Sequence, residues 1–433
     1  MKDQEPAPTR EGRRISTKET AELLGVKPET VYAYVSRGQL SSRREPGSRG
    51  STFDAKEVES LAQRNRREAS GSSPSAGGFS VRTRITLIDR DRYYFRGVDA
   101  TELAARHSYE EVAEWLWTGV LRPGVTFTAP EASVAVARQA VDALPEHTGP
   151  TDRLRVAAIA AAIADPLRFD LSEEAVLGTA RTLIPTLVAA LPPLRRDHRD
   201  RGPLAHRLWA RLSGRKADDA SLHALDTALA LLLDHDLAAS TLAVRVAASA
   251  RAHPYAAVSA GLGALESPLH GAASGFAHRL IFDVLDRGTA APVVADELRA
   301  GRRVPGLGHY LYPGEDPRAR ALFALLEEVS EAAPALAAAH DIVATTARHA
   351  PLHANVDLAL AVLTVASGMH ASAGETIFAV ARTAGWIAHV LEEYEETPMR
   401  MRPSGHYVGP QPPQPLHGTL TPKAPKAIPG NSG

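Results

Sequence analysis

Four short segments carry side chains that could do chemistry together. They are Asp234-His235-Asp236, Pro268-Leu269-His270-Gly271, the run from Val304 through Gly306, Gly308, His309 and Tyr312 into Asp316-Pro317-Arg318, and Asn355-Val356-Asp357. The last leads into a long apolar helical stretch carrying Arg382, and then to Arg402-Pro403. The chain has 433 residues and no Cys, which excludes disulfides, thiolate nucleophiles and thiolate metal sites. Any chemistry therefore runs on His, Asp and Arg. These types suffice for proton transfer and anion binding. A carboxylate can act as a base, a neutral imidazole can donate to an oxygen on which charge develops, and guanidinium groups grip carboxylates bidentately. The His and Asp spacings match no metal site, so none is expected. Singly, each segment is weak. With 17 His in the chain, a lone His is ordinarily a surface or satisfied core residue, and an Asp at a helix start is ordinarily a cap.

The elements that must position these residues are helices. Apolar residues recur at three- and four-residue steps in 101–118, 133–144, 154–164, 174–191 and 220–233, and again in 238–264, 268–286, 316–331 and 356–393. His270 is placed at a helix start by this pattern, and Asp234-His235 at another. Strand character is confined to Val81–Ile88, where Val81, Thr83, Ile85 and Leu87 alternate with polar residues; Asp89 to Arg92 can turn and Tyr93–Phe95 can return as a hairpin. Residues 68–79 are rich in Ser and Gly and read as a flexible linker, with an ordered surface loop as the alternative; 410–433 are Pro-rich and read as a disordered tail. Hydrophobic residues make up 44% and aromatics 5%, enough for a large core built from Ala, Leu and Val. The polar N-terminus lacks the apolar segment of a signal peptide, and no run approaches the roughly 20 apolar residues of a membrane span. A cytoplasmic protein with no membrane partner is expected.

The net charge of −1 excludes a strongly basic nucleic-acid coat protein. It is nonetheless a sum of unlike parts, because residues 1–70 carry 14 Lys/Arg against 11 Asp/Glu and the remainder 35 against 39. Within 15–26, Ser16 or Thr17 can cap a helix with an apolar face, and Gly25 suits its end. Lys27-Pro28 then opens a second helix. A third starts at Phe53-Asp54. Over about 14–66 this resembles the winged helix-turn-helix of the MerR/excisionase type, on "TKETAELLGVKPETVYAYVSRGQL" and "FDAKEVESL". The resemblance implies DNA as a partner of residues 1–67, with Thr30 and Tyr32 near a major groove and Arg37, Arg43, Arg44 and Arg49 on phosphates. The alternative is a small helical docking domain that does not bind DNA.

The order and spacing of the four chemical segments resemble citrate synthases over about 80–410. "DHDLAAST" looks like that family's oxaloacetate-binding segment, "PLHG", "GLGHYLY…DPRA" and "NVD" like its three catalytic segments, and "ITLIDRDRYYFRGVDATELAARHSYEEVAEWLWTG" and "ARTAGWIAHVLEE…RPSGHYVG" like its opening and closing elements. The resemblance implies a mainly α, two-domain fold over 80–409, with a large subdomain (about 80–265 and 366–409) and a small one (about 266–365) that close on substrate in a homodimer. It implies Asp357 as base, His270 as enolate stabiliser and His309 as the group that polarises a ketone. His235, Arg318, Arg382 and Arg402 would bind the acceptor, Arg402 from across the dimer. Arg302, Arg303, Gly306 and Gly308 would meet coenzyme A, whose thioester is a substrate; no tightly bound cofactor is implied. The implied reaction joins acetyl-CoA and oxaloacetate to give citrate and CoA.

This chain departs from the family at Ala238 and Ser274, where Asn is common, at Ala354, where Pro is usual, and at Arg90, where Gly usually follows Asp; residues 122–220 resemble it only loosely. The departures leave open a longer acyl thioester, as in 2-methylcitrate synthases that use propionyl-CoA. A different class of function is a metabolite-sensing DNA-binding regulator built on a synthase-like body. A catalytically inactive scaffold is a third, and the presence of His270, His309 and Asp357 argues against it.

Overall fold

A computed structural model describes residues 14–24, 26, 30, 31, 34, 35, 40–44, 51–58 and 61, then 81–195, 201–267, 270–403 and 407–410. The chain divides into two compact units, Met1–Arg82 and Thr83–Gly433. In the first, β1 (Arg14–Ser16), β2 (Ser42–Arg44) and β3 (Ser51–Asp54) form an antiparallel sheet in the order β1-β3-β2. Ser16 and Glu19 cap α1 (Thr17–Leu24) reciprocally: the Ser16 amide donates to Glu19 Oε2 at 2.8 Å and the Glu19 amide to Ser16 Oγ at 3.3 Å. Ile15, Ala21, Val31, Leu40, Phe53, Val58 and Leu61 make a small core. Residues 30, 31, 34, 35 and 55–58 are helical. The third helix was expected to start at Phe53-Asp54, but these two residues end β3. Phe53 pairs with Ile15 and fills the core, while Asp54 Oδ1 caps by accepting from Lys56 N at 2.9 Å. Thr30 is exposed. Tyr32, Arg37, Arg49, the side chains of Arg43 and Arg44, residues 68–79 and nearly all of 410–433 lie outside the described residues.

The second unit opens with β4 (Thr86–Asp89), β5 (Arg92–Phe95) and β6 (Val98–Asp99), an antiparallel sheet in that order. The hairpin turns at Arg90, whose φ of 53° is left-handed. Two details differ from the sequence pattern. The strand starts at Thr86, and Leu87 faces solvent while Ile85 is buried, because pairing with Tyr93 and Phe95 sets the phase of the pleat.

The regular elements that follow among the described residues are helices: α2 (Ala100–Arg106), α3 (Tyr109–Thr118), α4 (Glu131–Asp142), α5 (Pro150–Ala164), α6 (Glu173–Ala190), α7 (Leu204–Leu212), α8 (Asp219–Leu232), α9 (Ala239–Ser249), α10 (Pro254–Leu265), α11 (Ala273–Arg287), α12 (Ala290–Arg299), α13 (Pro317–Leu326), α14 (Ala333–Ala347), α15 (Val356–Ala366) and α16 (Ala373–Tyr394). The stretch expected over 101–118 is broken by a capping box, in which Ser108 and Glu111 bond reciprocally and start α3 afresh. The first segment at 316–331 ends early, with a 3-10 turn at Ser330–Ala332. Helix α16 is the axis of the core. Arg382, Trp386 and His389 are buried along it, and it packs on α3, α6, α8, α9 and α10. Gly385 permits this, since a Cβ there would collide with the Leu233 carbonyl. Helices α11 and α15 pack together beside α14. Among the described residues no helix is long and apolar enough to cross a membrane.

Candidate active site

Helix α8 stops at Leu232, and the chain turns through Asp234, His235 and a left-handed Asp236 (φ 55°) before α9 starts at Ala239. His235 therefore sits in a connection, not at a helix start. The turn is pinned by Asp234, which is fully buried: Thr86 Oγ1 donates to its Oδ2 at 2.5 Å, and His389 Nε2 lies 3.2 Å from its Oδ1. Burial works against the Asp234 charge, but His389, Arg382 and Thr86 outweigh it and hold the carboxyl below its usual range.

Arg382 projects from α16 into the same region. Its Nε donates to Leu232 O at 2.9 Å, its guanidinium stands 4.5 Å from the Phe378 ring centre, and its Nη1 has no hydrogen-bond partner among the described residues. Burial lowers its pKa to about 10, partly offset by Asp234. A buried, unpaired guanidinium nitrogen is costly in the free protein. It is an open valence for an anion.

His309 and Asp357 come from segments far apart in sequence that are laced together. Gly306 (φ 80°) accepts from the Asn355 amide at 2.9 Å, Gly308 O accepts from Asn355 Nδ2 at 2.9 Å, and the Gly308 amide donates to His353 O at 2.8 Å. A Cβ on Gly306 would stand 2.8 Å from Leu358 Cβ. Asn355 also caps α15 by accepting from the Asp357 amide at 3.0 Å. Asp316 completes the brace. It takes Arg318 bidentately, at 3.0 and 2.7 Å, and accepts from the Val356 amide at 3.1 Å. The backbone groups of Gly306 and Gly308 named here thus tie the segment that carries His309 to the one that carries Asp357.

The electrostatics join the two halves. The His235 and His309 ring centres are 5.2 Å apart, and each lies within 5.5 Å of the Tyr312 ring centre. His235 Nε2 is 2.6 Å from Tyr312 Oη. Burial, then Arg318, lowers His309 to about 4; burial, then Arg318 and Arg382, takes His235 well below its ordinary value. Leu311 N donates to His309 Nδ1 at 3.2 Å, so the neutral ring carries its proton on Nε2. His270 lies in a turn three residues before α11, not at the helix start, and Ser240 Oγ is 2.8 Å from its Nε2. Burial, then Arg382, lowers it to about 4. Its neutral state comes from burial and a nearby cation rather than from a helix terminus. Asp357 goes the other way: burial raises it to about 6 against the pull of Arg318.

His235, His270, His309, Arg318, Asp357 and Arg382 thus form one electrostatically connected cluster. A profile for the citrate synthase C-terminal domain matches residues 76–404 of the chain.

The chain belongs to the citrate synthase family.

A second profile, for a helix-turn-helix domain, matches residues 15–66. The chain is 31% identical over 363 residues to the citrate synthase of Haloferax volcanii, covering 77% of this chain and 94% of that one. It is 28% identical over 364 residues to citrate synthase 2 of Bacillus subtilis, covering 77% and 95%. Among solved structures, the citrate synthase of Thermotoga maritima superposes with a TM-score of 0.63 at 26% identity, over 78% of this chain and 96% of that one. The Thermoplasma acidophilum citrate synthase, in ternary complex with carboxymethyl coenzyme A and oxaloacetate, shares the fold with a TM-score of 0.66 at 24% identity, over 78% and 95%.

Three expected site residues stand apart from the cluster. Arg402 is exposed on the segment after α16. Arg302 is exposed and paired bidentately with Glu297 at 2.8 Å, and Arg303 is exposed beside it. Both line a cavity of about 460 Å3 with Phe276 and Arg279. Sequence reasoning assigned no role to Asp234, Ser240, Tyr312, Asp316 or Asn355. All five lie inside or beside the segments singled out, but each has a partner 30 to 155 residues away that the sequence does not show.

Proposed function

We propose that this chain is a citrate synthase-type acyltransferase that condenses acetyl-CoA with oxaloacetate and water to give citrate and CoA. One observation carries the proposal. A raised carboxyl, two imidazoles held neutral and a buried guanidinium with an open nitrogen share one partly buried cluster.

In the proposed reaction Asp357 takes a proton from the thioester methyl group. A carboxyl of pKa about 6 is ionised at neutral pH and is a stronger base than an ordinary Asp. The Ser240 hydroxyl donates to His270 Nε2, which leaves Nδ1–H to stabilise the enolate oxygen. The enolate carbon attacks the acceptor's ketone carbon, and His309 donates Nε2–H to the oxygen that becomes the alkoxide. Arg382 and Arg318 hold the acceptor's carboxylates, with Arg402 from the partner of a homodimer and His235 behind them. Hydrolysis of the resulting thioester releases CoA. Arg302 and Arg303 neutralise phosphates of the CoA, which is a substrate and not a resident cofactor. Subdomain closure, residues 266–365 on the rest of 80–409, keeps water out until condensation is complete. The homodimer is supported by an uncovered apolar row, Ile159, Ile163, Leu167 and Phe169, each at least half exposed.

The test is CoA-thiol release with acetyl-CoA or propionyl-CoA against oxaloacetate and other 2-oxo acids. Release with acetyl-CoA and oxaloacetate, abolished in Asp357→Asn, is expected. Preference for propionyl-CoA would make the chain a 2-methylcitrate synthase instead. No release with any pair would overturn the enzyme reading. A second role is favoured by the sheet and helices of residues 14–61: DNA binding by the N-terminal unit, with the body as metabolite sensor.

A further inference from the structure

Tyr312 is a buried side chain without an assigned role that lies against three of the proposed acceptor-binding groups, His235, His309 and Arg318. It is 3% exposed. Its hydroxyl lies 2.6 Å from His235 Nε2, its ring centre 5.1 Å from that of His309, and the Arg318 guanidinium carbon 5.9 Å from its ring centre. Burial raises its pKa, so the phenol keeps its hydrogen.

This arrangement changes what His235 can do. The ring is neutral and so has one N–H. Its Nε2 is already engaged by Tyr312, so that atom is not free to reach a ligand. The tautomer with the proton on Nε2 has His235 donate to Tyr312 Oη and leaves the phenol hydrogen to donate elsewhere; the other tautomer accepts that hydrogen, so the assignment requires the first. Among the described residues Tyr312 Oη has no second partner. In that tautomer a buried hydroxyl with an unused hydrogen, beside Arg318 and next to two imidazoles, has an anion as its natural acceptor.

We propose that Tyr312 is a further substrate-binding residue, whose hydroxyl, oriented by His235, donates a hydrogen bond to a carboxylate of the 2-oxo acid. This rests on the reaction proposed above and names the donor that His235 supports. The ring makes no contact assigned to the thioester, so the effect belongs to the acceptor alone.

The test is Tyr312→Phe in the full chain, which removes one oxygen and keeps the ring packed. A hydrogen bond to a charged group corresponds to roughly a tenfold to hundredfold effect. The KM for the 2-oxo acid should rise by about that factor, while the KM for the acyl-CoA stays within about twofold and kcat falls less than the acceptor KM rises. The 2-oxo acid alone should also raise the melting temperature of the wild type, and this shift should shrink in Tyr312→Phe. A 3-fluorotyrosine placed at 312 serves as second variant, because it keeps shape and hydroxyl, and its acceptor KM should stay near the wild-type value. An unchanged acceptor KM in Tyr312→Phe, or equal rises for both substrates, overturns the assignment and leaves Tyr312 a packing residue. If the wild type releases no CoA from any pair, the reaction proposal fails instead, and the thermal shift still reports whether Tyr312 binds the 2-oxo acid.

Discussion

Replacing Asp357 by Asn should make the protein inactive and more stable at once. The side chain is partly buried at the first turn of α15, and among the described residues its carboxylate oxygens accept no hydrogen bond. Asn therefore keeps the shape and loses no bond. What it removes is a charge that burial disfavours, as the rise from 3.8 to about 6 records. At 1.36 kcal/mol per tenfold this corresponds to roughly 3 kcal/mol, and access of solvent to the cleft reduces it to about 1–3 kcal/mol. Below about pH 4 the group is protonated both folded and unfolded, and the difference vanishes. Above about pH 6 it is ionised in both states, and the full penalty falls on the wild type. Asp357→Asn should thus gain about 1–3 kcal/mol at pH 7.5, read by urea unfolding, and roughly half of that at pH 5. CoA release should drop about 100- to 10,000-fold, the range for loss of a positioned base. In the wild type, kcat/KM should fall on the acid side with an apparent pKa of about 6. A variant less stable than wild type at pH 7.5, a gain that does not shrink toward pH 5, or an acid limb near 4 would refute the reasoning.

Gly306→Ala should lower stability by about 1–3 kcal/mol and reduce kcat, because a left-handed φ of 80° is strained for Ala and its Cβ would press on Leu358. Thermal unfolding and CoA release check the two effects. Arg245→Met should cost about 1–3 kcal/mol in chemical denaturation, since it removes one of two arginines on buried Glu393, where Arg400 keeps its bidentate hold, and a partner of Glu392 and His389. For the N-terminal unit, duplex binding by the full chain should weaken with salt, and the Arg43/Arg44 double Ala variant should reduce the log–log slope by about 2; an unchanged slope removes those two residues from the interface.

Much of the helical order was legible because α3, α6, α8 and α16 show a clear apolar period. Where the sequence misled, tertiary or capping effects decided. Helices α9 and α10 read as one stretch until the turn at Arg251, with its φ of 60°, and the His253 cap separate them. Helix α14 was missed because its Ala-rich segment is too uniformly apolar to show a face, and α7 because its arginines mask a buried side: Arg207 and Arg211 are nearly inaccessible. The phase of β4 could not be read, since pairing with β5 fixes which side Leu87 takes. Of the residues singled out from the order of motifs, His235, His270, His309, Arg318, Asp357 and Arg382 meet, while the exposed Arg402, Arg302 and Arg303 stand apart. Partners could not be read, because an Asp beside His235 looks the same in sequence whether it caps a helix or bonds His389, 155 residues on.

The partnering also explains how a weak base could be made strong at the right moment. In the free protein Arg318 is neutralised by Asp316, and Arg382 is partly offset by Asp234. Asp357 then feels burial on one side and only the residual pull of Arg318 on the other. Under the proposed reaction, an acceptor with two carboxylates brings two negative charges into this cluster. It occupies the open Nη1 of Arg382 and further screens Arg318 from Asp357. Both effects push the Asp357 pKa up from about 6, because a nearby anion disfavours a second one and because the compensating cation is engaged elsewhere. A higher pKa means a stronger base, and the limit is set by keeping enough of it ionised at working pH. Base strength is then highest when the ketone to be attacked is already present. The same charges would make His309 and His270 easier to protonate, from values near 4 that leave room to rise without becoming cationic at pH 7. The cluster that is electrostatically uncomfortable when empty is in this way tuned by its own ligand.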